Sequence, residues 1–248
     1  MELKQFFKEN PRVALAFSGG VDSAFLLWAA KDAGADVTAY YVKSAFQPES
    51  ELRDAKRLCD ELNTRMTVIE LDVLDDSTIT ANPANRCYYC KKRIFTAIAE
   101  SARADGYDVL IDGTNASDDD ADRPGIRALQ ELSVRSPLRE CGIPKSEVRQ
   151  LSREASLFTW DKPAYACLAT RIPTGEIITA EKLQKTERAE EYLERLGFRD
   201  FRVRLMNGCA KLQLTEEQLP LLLEKRTDIL AGLSLDYDAV VLDLEVRK

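Results

Sequence analysis

Arg12-Val13-Ala14-Leu15-Ala16-Phe17, Ser18-Gly19-Gly20-Val21-Asp22-Ser23 and Ala24-Phe25-Leu26-Leu27-Trp28 are the consecutive stretches whose reading decides the fold. The first is an alternating apolar run that reads as a strand. The last opens a helix, and the six residues between them make a phosphate-sized loop. Two glycines let the backbone come close to an anion, serine hydroxyls add donors, and the helix turns its unpaired N–H groups and positive dipole end toward the loop. A lone Gly-Gly would be an ordinary turn, but SGGVDS between a strand and a helix points to a nucleotide phosphate. Neither G-x-x-x-x-G-K-[ST] nor G-x-G-x-x-G occurs in the chain, which excludes the Walker-type loop and the dinucleotide fingerprint.

With those excluded, the loop resembles the pyrophosphate (PP) loop of the ATP pyrophosphatase superfamily, whose members split ATP between the α and β phosphates and adenylate a substrate. Six residues identify a superfamily and leave the substrate open.

The chain has 248 residues, 45% of them hydrophobic, enough for a buried core in one large or two small domains. Its amino terminus is charged and amphipathic, and no segment approaches about eighteen consecutive apolar residues, so a cytoplasmic protein without membrane contact is expected. The net charge of −7 disfavours a partner held through a phosphate backbone, which needs basic surface, and favours a small substrate over nucleic acid. Six cysteines and no histidine exclude imidazole ligands and bases, and suggest thiols, metal or cluster ligation, or catalysis before structural disulfides.

Strand-like runs at 13–17, 37–42, 66–71, 109–112 and 133–138 alternate with helical segments at 23–33, 49–62, 91–104, 123–131 and 145–155. The alternation predicts an α/β fold, a doubly wound parallel sheet of the adenine nucleotide alpha hydrolase type, with ligand beyond the carboxyl ends of its strands. From 157 to 176 the periodicity stops, and Pro163, Pro173 and Gly175 mark a functional loop. A helix at 180–196, strands at 201–206 and 211–214, a helix at 216–231 and a strand at 237–246 predict a small α+β domain. The expected division is 1–156 for the nucleotide domain, 157–178 for the active-site loop and linker, and 179–248 for a substrate and phosphate domain.

Cys87-Tyr88-Tyr89-Cys90 sits at a helix start among Arg86, Lys91, Lys92 and Arg93, where the dipole and the cations favour thiolate. A redox dithiol competes with metal ligation there. Cys167 falls in the loop between the domains. Together the three thiolates would suit three irons of a cubane cluster with the fourth open, or zinc with a water. Cys59, on the helical stripe of Leu52, Ala55 and Leu62, reads as structural, as do Cys141 and Cys209 beside turns.

Asp112-Gly113-Thr114-Asn115-Ala116-Ser117-Asp118, Arg123-Pro124-Gly125, Ser136-Pro137-Leu138 and Cys167-Leu168-Ala169-Thr170-Arg171-Ile172-Pro173 follow SGGVDS in this order. Combined, they resemble the LarE family across residues 10–246. Its members are ATP-dependent sulfur transferases that make pyridinium-3,5-bisthiocarboxylic acid mononucleotide, the organic part of a nickel-pincer cofactor. The resemblance implies that Mg-ATP adenylates a pyridinium carboxylate mononucleotide with loss of pyrophosphate, and that sulfur then displaces AMP. It places ATP on Ser18, Gly19, Gly20, Val21, Asp22, Ser23, Gly113, Thr114, Asn115 and Asp118, with Mg2+ alongside. It makes Cys167 the sulfur-handling cysteine and Glu190 an active-site acid. It also aligns Arg202 and Arg204, which alternate along one strand about 7 Å apart, with arginines that bind substrate phosphate.

Some members sacrifice the sulfur of the lone cysteine and are left with dehydroalanine; others add a C-x-x-C pair and resemble cluster-dependent carriers. The pair in this chain favours a [4Fe-4S] cluster on Cys87, Cys90 and Cys167, charged by a sulfide donor. The chain departs from the family pattern at Met206, Asn207 and Gln213, where members often carry His, Tyr or Gly and an acid. Alternatives are sacrificial transfer from Cys167, a PP-loop tRNA thiolase, an ammonia-dependent adenylating ligase, or a non-catalytic nucleotide sensor. A homo-oligomer is compatible with the sequence.

Overall fold

The computed structural model describes residues 2–118 and 124–247. Arg123, in both the expected helix and the Arg123-Pro124-Gly125 motif, lies outside them. The chain divides into two compact units, Met1–Asp72 with Asn85–Ala164, and Val73–Ala84 with Tyr165–Lys248. The stretch expected as linker is thus shared between the units, and the connection after the third strand belongs to the second.

The first unit is built on a parallel sheet of β1 (Arg12–Ala16), β2 (Asp36–Lys43), β3 (Arg65–Glu70) and β4 (Leu110–Ile111), in the order β3-β2-β1-β4. Its helices are α1 (Leu3–Glu9), α2 (Val21–Asp32) and α3 (Glu49–Glu61), then, past α4 (Ser77–Thr80) of the other unit, α5 (Arg86–Ala104), α6 (Pro124–Glu131), α7 (Pro137–Glu140) and α8 (Lys145–Glu154). Parallel strands need crossovers, and α2, α3 and α5 supply them.

Period-two alternation decides the layers. Val13 and Leu15 of β1, with Val37, Ala39 and Tyr41 of β2, join one core with Phe25 and Leu26 of α2, Leu52 and Leu58 of α3, and Val148 of α8. Ala14, Tyr40 and Val42 face the other way and pack with Ile98 and Ala102 of α5. Because both faces are covered, the strands read as nearly continuous apolar runs. Helix α2 buries residues around most of its circumference, packing on β1, β2, α1 and α8. Burial of a side chain the size of Leu26 or Leu27 contributes about 1.5–3 kcal/mol.

The expected strand at 133–138 does not form. It shrinks to a bridge between Ile111 and Arg135, with Arg135 N–H on the Leu110 carbonyl and Asp112 N–H on the Arg135 carbonyl, both at 2.9 Å. Pro137 has no N–H to extend the ladder and opens α7 instead.

In the second unit, Asp76 caps α4, accepting from Thr78 N–H at 2.8 Å. Buried Asn82 donates to the Pro173 carbonyl at 2.7 Å, and Gly175 N–H returns to the Asn82 carbonyl at 2.8 Å. Helix α9 (Ala180–Arg195) precedes a sheet of β5 (Arg202–Met206), β6 (Cys209–Gln213) and β7 (Val240–Leu242), antiparallel between the first two and parallel between the last two. Asn207 and Gly208, both at positive φ, make the two-residue turn of the β5–β6 hairpin. The single helix expected over 216–231 is broken at Lys225 into α10 (Leu219–Glu224) and α11 (Arg226–Leu233) after a 3-10 turn. Strand β7 is shorter than the expected 237–246, because β6 pairs with it only from Ala210 to Leu212.

Candidate active site

β1 delivers the chain to Phe17, whose N–H bonds the Tyr40 carbonyl at 2.9 Å, so the SGGVDS loop opens at the carboxyl end of the sheet. Gly19 has φ +74°, a left-handed value that favours glycine, and a Cβ there would stand 3.3 Å from Ala55 Cβ of α3. Ser23 Oγ donates to the Gly20 carbonyl at 3.1 Å and lies 3.1 Å from Ser18 Oγ, which accepts Gly20 N–H at 3.4 Å. These bonds curl the loop onto the start of α2. Its N-cap, Gly20, has no side chain with which to occupy the first-turn N–H groups.

A second wall comes from residues 112–118. Asp112, buried just beyond β4, accepts Thr114 N–H at 3.3 Å, the Thr114 hydroxyl, and the Ser136 hydroxyl at 2.6 Å. The resulting turn presses Gly113 onto the start of α2, where a Cβ would lie 2.8 Å from the Ser23 nitrogen. Asn115 Nδ2 then donates to Asp22 Oδ1 at 3.2 Å, and Asp118 Oδ2 accepts Asn115 N–H at 3.1 Å. The structure therefore gathers Asp22, Gly113, Asn115 and Asp118 at the loop and commits Thr114 to Asp112. It adds Lys145, whose ammonium is ion-paired with Asp22 and whose N–H bonds Ser117 Oγ at 3.0 Å. Nothing in the linear sequence signals that pair, whose members are 123 positions apart.

The same unit fixes the approach to the cysteine loop. Lys162 Nζ lies 3.0 Å from Glu51 and 2.6 Å from Asp54 of α3, and Arg149 of α8 donates to the Trp160 and Lys162 carbonyls at 2.8 and 3.0 Å.

In the second unit the centre is Glu190 of α9, buried and engaged at both oxygens. Arg171 donates Nε to Oε1 at 2.7 Å and Nη2 to Oε2 at 2.9 Å; Tyr165 OH donates to Oε2 at 2.7 Å and Val203 N–H to Oε1 at 3.0 Å. Burial works against the Arg171 charge, but the bonds and charge of Glu190 outweigh it and hold the guanidinium above its ordinary pKa. Arg171 Nη1 also reaches the Ala166 carbonyl and Thr170 Oγ1, each at 2.9 Å. Thr170 N–H and Oγ1 donate to the Cys167 carbonyl at 3.0 and 2.9 Å. Glu190 is thus the anchor of the turn that carries Cys167, the N-cap of a 3-10 helix. The sequence expectation named Glu190 but missed Arg171 and Tyr165; the signal available was an arginine four residues after the cysteine.

Arg202 lies 5.3 Å from the Tyr165 ring centroid, which Arg171 also approaches at 4.8 Å. Burial first, then the like charges of Arg171 and Arg247, push the Arg202 guanidinium down to about 10; the same causes lower Arg204. Arg204 donates to the Thr170 carbonyl and to Gln213 Oε1, and Gln213 Nε2 donates to Asp243 at 2.7 Å. Arg202 and Arg204 therefore share a frame with the Cys167 turn, rich in positive charge.

A model of the PP-loop domain matches residues 1–127. An uncharacterized Synechocystis protein is 42% identical over 88% of this chain and 81% of its own length. The pyridinium-3,5-bisthiocarboxylic acid mononucleotide synthase of Lactiplantibacillus plantarum is 35% identical over 86% of this chain and 78% of its own. The chain belongs to the LarE family of PP-loop proteins. A tRNA-specific 2-thiouridylase of Frankia casuarinae shares 31% identity over 61% of this chain and 53% of its own length.

Where this LarE-family chain departs from the pattern, at Gln213, the side chain links Arg204 to Asp243, a carboxylate pushed down to about 2 by its bonds with Lys211 and Gln213. An acid thus reaches the arginine through an amide, a relay invisible within the hairpin sequence. Met206 is exposed. The cysteines divide between units. Cys87 and Cys90 stand three residues apart within α5, which starts at Arg86, earlier than the expected Lys91; they are neighbours along one side of the helix, Cys87 exposed and Cys90 buried. Cys167 belongs to the second unit. None of the six cysteines is in a disulfide, and burial pushes the Cys59 thiol up to about 12, in keeping with an inert core role. Among the described residues, no three Cys, Asp or Glu side chains gather as a metal-ligating group, and no helix is long and apolar enough to cross a membrane.

Proposed function

We propose that this protein is an ATP-dependent sulfurtransferase that converts a pyridinium carboxylate mononucleotide to its thiocarboxylate for nickel-pincer cofactor synthesis. The observation that carries the reading is the frame built on Glu190. One buried carboxylate orients Arg171, Arg171 ties down the Cys167 turn, and beside it the partly buried guanidiniums of Arg202 and Arg204, their pKa values lowered by burial and by the like charges of Arg171 and Arg247, form a basic frame suited to a phosphate-bearing substrate. Glu190 acts as a positioning residue, since all its near contacts are spent on protein groups.

The chemistry has two parts. The substrate carboxylate attacks the α-phosphorus of ATP held by the SGGVDS loop, and the α–β bridging P–O bond breaks with its electron pair leaving on pyrophosphate, Mg2+ offsetting the charge. A sulfur nucleophile then adds to the acyl carbon, and the C–O bond to AMP breaks. Cys87, Cys90 and Cys167 offer three thiols of the type that holds a [4Fe-4S] cluster; bound there, it would supply an iron position for the transferable sulfide. The Cys167 turn is held within its own unit by Arg171 and Thr170, which supports a second reading, in which Cys167 gives up its own sulfur by cleavage of its Cβ–S bond and becomes dehydroalanine.

Anaerobic reconstitution with iron and sulfide tests the two. About four irons per chain with broad visible absorption, lost in Cys87→Ser, together with repeated turnover, is expected. Absence of a cluster, with a single turnover and loss of sulfur mass from Cys167, replaces the cluster reading by the sacrificial one. No pyrophosphate release with any pyridinium carboxylate overturns both.

A further inference from the structure

We infer that Lys145 binds the β- and γ-phosphates of the nucleotide, an inference that rests on the ATP reading above. A loop of the G-x-x-x-x-G-K-[ST] kind carries its own lysine to those phosphates, whereas SGGVDS contains no cation at all. A loop that must hold a triphosphate therefore needs a positive charge from elsewhere in the fold. Lys145 supplies one. It is the first residue of α8, with its backbone N–H fixed on Ser117 Oγ, so its position is set by the same 112–118 segment that walls the loop. Its ammonium is ion-paired with Asp22, the only acid in the loop, on the oxygen opposite the one bonded by Asn115. Its side chain remains about one-third exposed, and that of Asp22 about one-quarter, so the pair is accessible to a ligand.

The internal bonds of the loop, among Ser18, Gly20 and Ser23, do not involve Lys145, and the loop's shape is complete without it. In the absence of nucleotide, Asp22 holds the ammonium at the loop rim. With ATP bound, the same ammonium swings over a flexible stem onto the non-bridging oxygens of the pyrophosphate half. Such a residue discriminates nucleotides by their β- and γ-phosphates and contributes nothing toward AMP.

Equilibrium titration of ATP, inorganic pyrophosphate and AMP into wild type, Lys145→Met and Lys145→Arg tests this. Lys145→Met keeps the apolar stem, and its melting temperature reports folding. Loss of one charge-assisted contact predicts affinity for ATP and pyrophosphate about ten-fold weaker or more in Lys145→Met, AMP affinity within about two-fold, and partial recovery in Lys145→Arg. Equal weakening toward ATP and AMP would show that Lys145 merely shapes the loop through Asp22, and unchanged affinity for all three probes would equally overturn the inference. Wild type that binds none of the probes overturns the nucleotide reading itself, and with it this one.

Discussion

Arg202 is a charge that the folded chain holds at a cost. A base whose folded pKa, about 10, lies below its ordinary value favours the unfolded chain while it is charged. Its charge therefore costs stability throughout the range below about pH 10, and the cost fades as pH rises above that value. A dianion in contact with the guanidinium removes the same cost at neutral pH. Nicotinic acid mononucleotide is accordingly expected to raise the melting temperature of wild type, by about 1.4 kcal/mol of stability at ten times its Kd. Arg202→Met should melt no lower than wild type without ligand and lose the ligand-dependent rise. A variant that melts lower yet keeps the rise would remove Arg202 from the phosphate site. At this scale the sequence named Arg202, Arg204, Glu190 and Cys167. It left Arg171 and Lys145 unread, because a side chain's partner depends on which distant segment folds over it.

Among the elements, the junction of β1, the loop and α2 was legible because its chemistry is local: strand alternation, two glycines and an apolar helix lie within seventeen consecutive positions, 12–28. The opposing wall was legible only as a motif. What makes Gly113 necessary is the 2.8 Å between its missing Cβ and the Ser23 nitrogen, a backbone atom that has no rotamer with which to retreat. Gly113→Ala is expected to cost about 1–3 kcal/mol in chemical denaturation and to weaken ATP binding more than tenfold for a shift of the loop by that amount. Unchanged stability and affinity would mean that the strand end yields freely. Pro137 stopped the strand expected at 133–138, and α1 was unmarked although Phe6 and Phe7 are fully buried against the first core. A seven-residue helix is too short to stand by periodicity alone; tertiary packing stabilises it.

Over the whole molecule, charge argues about partners. A net −7 offers little counterion release to a polyanion, so a tRNA gel shift that weakens steeply with salt is not expected. Such a shift would favour the thiouridylase-like alternative, whose relative matches 61% of this chain. By itself, the sequence determined the parallel α/β sheet, the nucleotide loop after its first strand and the family. Those properties are written in short windows, where propensity, alternation and turn chemistry act between neighbours. Only the tertiary structure decided that 73–84 joins the carboxyl-terminal unit, that Glu190 is consumed by Arg171 and Tyr165, and that Lys145 meets Asp22. Each of these is a contact between groups far apart in the chain, and its energy comes from burial and charge pairing that exist only once the chain has closed around them.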